Sequence, residues 1–155
     1  MKQHIALSEQ PLQVGDGERW LLDQGLSGAL VNFSGWVRGD LDCQGQRVDA
    51  LFLEHYPGMT ERAMCAIVEQ ARLKWPLNGA WIVHRVGTVA LGEEIVQVAV
   101  SASHRSDAFA ACAFIMDMLK TRVPLWKKAF SGGVWHWVEA RQSDAEAASA
   151  WLQQL

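Results

Sequence analysis

Residues 80–101, AWIVHRVGTVALGEEIVQVAVS, decide how the rest of the chain is read. Two apolar runs, Ala80 to Val89 and Glu94 to Ser101, are joined across a turn at Gly92. Two such runs around a short turn read as a hairpin. In the second run Val96, Val98 and Val100 share one face, while Ile95, Gln97 and Ala99 share the other. Both faces are therefore largely apolar. Helices and strands alternate elsewhere, but this hairpin favours an α+β fold with antiparallel or mixed sheets over a doubly wound parallel sheet.

On the N-terminal side, Met64, Ile67, Val68 and Ala71 recur, with Ala63 and Trp75, at the spacing of one helical face. Thr60 is expected to cap that helix and Pro76 to mark its end. Before it come strands at Gly28 to Arg38 and Val48 to Tyr56, separated by a loop at Gly39 to Gln46. A short helix over Gly15 to Gln24 and a first strand at His4 to Leu7 complete this half. On the C-terminal side, Ser103 or Ser106 starts a second long helix that runs to about Thr121. Its middle, Ala108 to Leu119, is apolar nearly all round, as in a buried helix. Pro124 prevents simple continuation and drives Val123 out of helix. Lys120 thus falls in the last helical turn, and Lys127 and Lys128 follow a bend. Ser131-Gly132-Gly133 reads as a turn, Trp135 to Ala140 as a last strand, and Ser143 to Leu155 as a final helix capped by Ser143.

No repeat or linker interrupts the 155 residues, so a single domain over 1–155 is expected. Half of the residues are hydrophobic and 20% are charged, which is ordinary for a folded protein and argues against disorder. No apolar run is long enough to span a membrane. Met1 to Gln10 lacks the features of a secretion signal, so a cytoplasmic location is expected. Cys43, Cys65 and Cys112 form no CxxC pair and read as free thiols, with Cys65 and Cys112 packed on helices. Cys43, in a polar loop after Arg38, is the alternative nucleophile for a sulfurtransferase. The eight tryptophans read first as core and interface packing, with Trp126, between lysines, as the exception that suits a planar ligand.

A net charge of −3 excludes nucleic-acid binding by the whole surface. The distribution is more informative. No carboxylate lies between Asp117 and Glu139, whereas Lys120, Arg122, Lys127 and Lys128 all do. Such a stretch in an acidic chain marks a local anion site. Lys120, at an apolar helix end among cations, is either placed where its charged form is disfavoured and proton exchange becomes easier, or an ordinary lysine reaching to water from a helix terminus, where cations are favoured. His104-Arg105 lies where a strand gives way to a helix, so free N–H groups and the helix dipole favour an anion there. The histidines show no HExxH spacing, and there is no GxSxG or phosphate-binding glycine loop. No metal or cofactor is expected.

Ordered segments carry a resemblance. They are Phe33-Ser34-Gly35-Trp36-Val37-Arg38, then Leu53-Glu54-His55-Tyr56-Pro57-Gly58-Met59-Thr60, His84-Arg85-Val86-Gly87 and Gly92-Glu93. His104-Arg105-Ser106, Ala108-Phe109, Leu119-Lys120-Thr121-Arg122, Pro124, Trp126-Lys127-Lys128 and Trp137-Val138-Glu139-Ala140 follow. Together they resemble the large, catalytic subunit of molybdopterin synthase, the MoaE family. The resemblance implies an α/β hammerhead-like fold with additional antiparallel strands. It also implies a homodimer at the centre of a heterotetramer. Each large subunit binds a small ubiquitin-like sulfur carrier with a Gly-Gly thiocarboxylate C-terminus. Sulfur passes to cyclic pyranopterin monophosphate, giving the dithiolene of molybdopterin. Under this resemblance Lys120 meets the thiocarboxylate and exchanges protons, and Lys127 stabilises developing negative charge. Arg38, at the end of the Trp36-Val37-Arg38 segment, joins His104 and Arg105 in binding the phosphate and pterin. Lys128 falls beside this set, and Arg141 matches an arginine after the Trp-Val-Glu segment. Ala129 stands where many relatives carry an acid and Trp36 where a basic residue is common; both border the implied pocket. A carrier-binding partner without activity is the alternative, against which Lys120, Lys127, His104 and Arg105 stand intact.

Overall fold

The structure, a computed structural model, describes residues 1–25 and 27–153. In chain order the elements are β1 (Lys2–Ser8), α1 (Asp16–Asp23), β2 (Ala29–Trp36), β3 (Val48–His55), α2 (Met59–Lys74) and β4 (Leu77–Arg85). They continue with β5 (Gly87–Ala90), β6 (Glu94–Ala102), α3 (Arg105–Arg122), β7 (Leu125–Ser131), β8 (Val134–Val138) and α4 (Gln142–Gln153). The strands form two sheets, ordered β1-β4-β6-β2 and β5-β3-β7-β8. Among the described residues only β1 and β4 run parallel; the other strand pairings are antiparallel. This is the α+β arrangement that the central runs implied.

The two-faced apolar pattern of β6 has its cause in the layers around it. α3 packs on one side and α1 on the other, and all nine residues from Glu94 to Ala102 are buried. Each valine fully buried there contributes about 1.5–3 kcal/mol. Opposite β6, α2 presents Met64, Ile67, Val68 and Ala71 to the core at the predicted helical spacing. α3 contributes Phe114, Ile115 and Met118 to the same core. It is gripped by β2, β6, α2 and α4, which explains an apolar sequence on nearly every side. Cys112 is buried, and burial pushes its thiol up to about 11.

The predicted hairpin is half right. Ile82 pairs with Val98 and Ala80 with Val100, as an antiparallel hairpin requires. The first run is not one strand, however. It begins at Leu77, ends at Arg85, and resumes at Gly87 in the other sheet, where Gly87 pairs with Leu53. Gly87 has φ of 76°, a left-handed conformation that turns the chain between sheets at little cost only to glycine. Arg85, 3% exposed, braces the change of direction by donating to the Glu9 and Thr88 carbonyls.

Helix starts also differ from expectation. Gly58, not Thr60, precedes α2, and its N–H donates to Glu61 Oε2 at 2.8 Å. Thr60 lies inside the helix, fully buried. Its hydroxyl accepts from the Tyr56 N–H and donates to the Pro124 carbonyl, both at 3.0 Å. His104 takes the N-cap position of α3 in place of Ser103 or Ser106. α4 starts at Gln142, so Ser143 is helical and not its cap; residues 154 and 155 of the predicted helix lie outside the described residues. The cationic stretch after Pro124, read only as following a bend, is strand β7. Gly132 and Gly133, at φ 56° and 79°, close it onto β8 in a two-residue turn whose twist suits antiparallel strands.

Candidate active site

Pro124 sets the geometry of the cationic stretch. Val123 is extended (φ −98°, ψ 129°), so α3 stops at Arg122, just past Lys120, and the chain enters β7 directly. The Thr60 bond to Pro124 fixes where that bend lies against α2. Lys127 and Lys128 then separate, because alternate residues of a strand face opposite ways. Lys127 pairs in register with Leu53 and Val138, on the face that buries Leu53 and Ala129. Lys128 pairs with Phe52 and Trp137, and its ammonium sits 4.3 Å from the Trp137 ring centroid and 5.9 Å from that of Phe52. The two lysines that adjoin in sequence therefore serve different faces of the sheet.

The acid missing from this stretch of sequence is supplied in space by α4. Asp144 Oδ1 lies 3.4 Å from Lys120 Nζ. Asp40, in the loop after β2, forms a second bridge: its Oδ2 is 2.9 Å from Arg38 and 3.9 Å from Arg141. The group that gathers is thus Lys120, Lys127, Arg38 and Arg141, with two carboxylates among them. Lys120 is half-exposed. Lys127 also keeps exposed surface, yet the crowding of protein around it, followed by repulsion from Lys120 and Arg141, lowers its pKa from the ordinary 10.5; Asp144 opposes the shift. Lys127 is thus the lysine of this group whose proton affinity is lowered.

His104 and Arg105 stand apart. They stand at the start of α3, sixteen and fifteen residues before Lys120. At 1.5 Å per residue the two ends lie about 24 Å apart, farther than the side chains reach toward one small ligand. Val37 is 3% exposed and its peptide group is used in bonds to Glu93 and Gly92, so it anchors Arg38 while its side chain stays in the core. Trp36 is exposed at the end of β2, and Ala129 is buried behind Lys127 on the same face.

His84 appeared in the sequence only as part of a motif. It is buried, and desolvation depresses its pKa to about 4, with Lys127 adding repulsion and the bond to Arg85 opposing the shift. Its Nδ1 lies 2.7 Å from the Arg85 carbonyl, which only accepts, so Nδ1 carries the proton and the imidazole is neutral. Asp40, Asp144 and His84 were not among the predicted site residues. For Asp40 and Asp144 the sole signal in sequence was a cationic stretch without local counter-ions, and for His84 it was its place in the His84-Arg85-Val86-Gly87 segment.

Cys43 is exposed, and its loop is held by Asp42, which accepts from the Gln44 and Gln46 N–H groups and from Ser131 Oγ. Two shallow hollows, beside Leu21 and Ser101 and along Ala145 and Ser149, contain no cationic side chain. Among the described residues no three His, Cys, Asp or Glu side chains cluster as metal ligands, and no helix is long and apolar enough to cross a membrane.

Fold and site together define an α+β protein that gathers cationic side chains where a buried helix ends against the inner face of a sheet. The profile of the MoaE protein family matches residues 7–122. The molybdopterin synthase catalytic subunit of Escherichia coli (strain K12) is 48% identical over 147 residues, covering 95% of this chain and 97% of its own. The chain belongs to the MoaE family of molybdopterin synthase catalytic subunits. Its activity is that of a sulfurtransferase in molybdenum cofactor biosynthesis. Among solved structures, the molybdopterin biosynthesis MoaE protein from Burkholderia ambifaria MC40-6 superposes with TM-score 0.81 at 41% identity, covering 96% of this chain and 97% of that one. A molybdopterin synthase structure from Staphylococcus aureus gives 0.78 at 30% identity, covering 87% and 96%.

Proposed function

We propose that the cluster of Lys120, Lys127, Arg38 and Arg141 is where this enzyme takes sulfur from the C-terminal thiocarboxylate of a small ubiquitin-like carrier and passes it to cyclic pyranopterin monophosphate. The observation that carries the reading is the Lys120–Lys127 pair, two ammonium groups brought together from a helix end and the inner sheet face. Both reactants are anions, and cations at the meeting point offset their repulsion. As the thiocarboxylate sulfur bonds to a pterin side-chain carbon, a C–O bond at that carbon breaks. Water then cleaves the acyl–sulfur bond, and the acyl group leaves as a carboxylate through an oxyanion, with the sulfur left on the pterin as a thiolate. Preorganised positive charge stabilises that oxyanion more than it stabilises the ground state.

In this reading Lys120, half-exposed at the rim, meets the carrier's tail. Lys127, with its lowered pKa, stabilises the oxyanion and is the readier proton donor. Arg38 and Arg141, linked through Asp40, hold the phosphate. Trp36 and Ala129 border these charges, and Val37 anchors Arg38 through its peptide group. The distance along α3 bears on assembly. His104 and Arg105 cannot reach the Lys120 end within one chain, so a second copy supplies them to a composite pocket in a homodimer. Relatives named as a catalytic subunit have a counterpart subunit, and the carrier fills that place in a heterotetramer.

The test is Lys120→Ala, reconstituted with thiocarboxylated carrier and the cyclic pterin and assayed for dithiolene product. Turnover is expected to fall by a factor of about 10² or more, with fold and dimer intact by circular dichroism and light scattering. Near-normal turnover overturns the assignment. Cys43→Ser, by contrast, is expected to keep full activity.

A further inference from the structure

We propose that Asp144 is the resident counter-ion of this site, holding the Lys120 ammonium in place until an anionic chain terminus displaces it there. The inference rests on the reading that Lys120 receives the carrier's C-terminus.

Asp144 is held where it is by the packing of α4, not by the ion pair alone. At the far end of the helix, Trp151 Nε1 donates to Asp117 Oδ2 at 2.7 Å, and Lys74 Nζ donates to the Trp151 carbonyl at 3.3 Å. At the near end the Asp144 N–H bonds to the Arg141 carbonyl at 3.1 Å. α3 and α4 are thereby fixed against each other, and Asp144 Oδ1 faces Lys120 Nζ at 3.4 Å. The Lys120 side chain is 48% exposed and that of Asp144 25%, so the ammonium has an open side from which a second anion can approach. A solvent-screened pair of this kind is weak and exchanges readily. A carboxylate or thiocarboxylate arriving on a carrier that makes further contacts is suited to replace it.

Lys127 registers the same carboxylate. The charged or titratable groups acting on it or near it are Lys120 from α3, Arg141 ahead of α4, His84 from β4, and Asp144. His84 is neutral, the lysine and arginine repel, and Asp144 alone of these is an acid. Removing its charge should strengthen the site's hold on an added anion and lower the proton affinity of Lys127 further.

The experiment uses the full chain with Asp144→Asn, Asp144→Glu, Lys120→Ala, and Lys120→Ala combined with Asp144→Asn. The probe is a synthetic peptide ending in Gly-Gly with a free α-carboxylate, compared with the same peptide amidated. Asp144→Asn is expected to bind the carboxylate peptide about two- to five-fold more tightly, with no change for the amide. Asp144→Glu should behave as the native chain. In parallel, NMR titration of ¹³Cε-labelled lysine should show Lys127 losing its proton at lower pH in Asp144→Asn. Unchanged affinity with an unchanged Lys127 titration, accompanied only by altered thermal stability, overturns the proposal and leaves Asp144 as a helix N-terminal acid. A gain that persists in the Lys120→Ala background also overturns it, because Asp144 would then act through another group. The activity of Lys120→Ala judges the underlying reading separately. Failure of the carboxylate peptide to bind more tightly than its amidated form to any of these chains also overturns the proposal.

Discussion

Lys127 and Lys128 differ by one position in β7 and by nearly everything in environment. The first shares the inner face with Leu53 and Ala129 and is acted on by Lys120, Arg141 and Asp144. The second lies over the Trp137 ring on the opposite face, an arrangement that holds a cation without aiming it at a reactant. Replacing each by glutamine separates the two positions. On the proposed reading Lys127→Gln removes the charge assigned to the transition-state oxyanion, and kcat/KM for sulfur transfer is expected to fall by a factor of about 10²–10³. Lys128→Gln is expected to cost no more than a few-fold, with a small loss of stability from the lost cation–π contact, about 0.5–1 kcal/mol at an exposed site. Steady-state assays with purified carrier check both. Equal losses for the two variants would mean that the strand's alternation does not separate their roles.

At the scale of elements, the turn between β4 and β5 decides whether one sheet or two is built. Gly87 is the residue that makes it. A Cβ added there meets nothing within 4 Å, so the cost of Gly87→Ala is purely the left-handed backbone, about 1–2 kcal/mol. Urea unfolding should show that loss as a lower midpoint at unchanged slope. A loss below about 0.3 kcal/mol would mean the backbone relaxes out of that conformation. The same turn marks how far the sequence can be read. The pattern of short apolar runs bounded by a turn marks residues 80–89 and 94–101 as extended, with both faces of the second run apolar. It carries no information on which sheet a strand joins, so the break at Val86 was invisible. β7 was missed because Trp126-Lys127-Lys128 reads as a charge cluster when only one of its two faces meets the core. The buried helix α3, the bend at Pro124 and the position of Lys120 at the helix end were legible, since each follows from local backbone rules. Asp144 and Asp40 were not: they reach the cations only through the packing of α4 and the folding of the loop after β2.

For the molecule as a whole, the buried neutral His84 couples the fold to pH. Its pKa is depressed from 6.5 in the open chain to about 4 in the folded state. The unfolded state therefore binds a proton that the folded state refuses between those values. Stability is full above the unfolded pKa and declines as the pH falls from about 6.5 toward 4. The depression corresponds to about 3 kcal/mol, or roughly 6–12 °C in Tm for a chain of this size. Asp42 acts in a separate window. Its bonds from Ser131, Gln46 and Gln44 hold its carboxyl below 3.8, so the stability it contributes persists above that value and is lost only as pH falls further. Scanning Tm from pH 7.5 down to 4.5 thus samples the histidine and leaves Asp42 ionised. The slope should flatten in His84→Leu, which keeps the buried volume and removes the titrating ring. An undiminished slope in that variant would assign the acid sensitivity to other groups and remove His84 from the account.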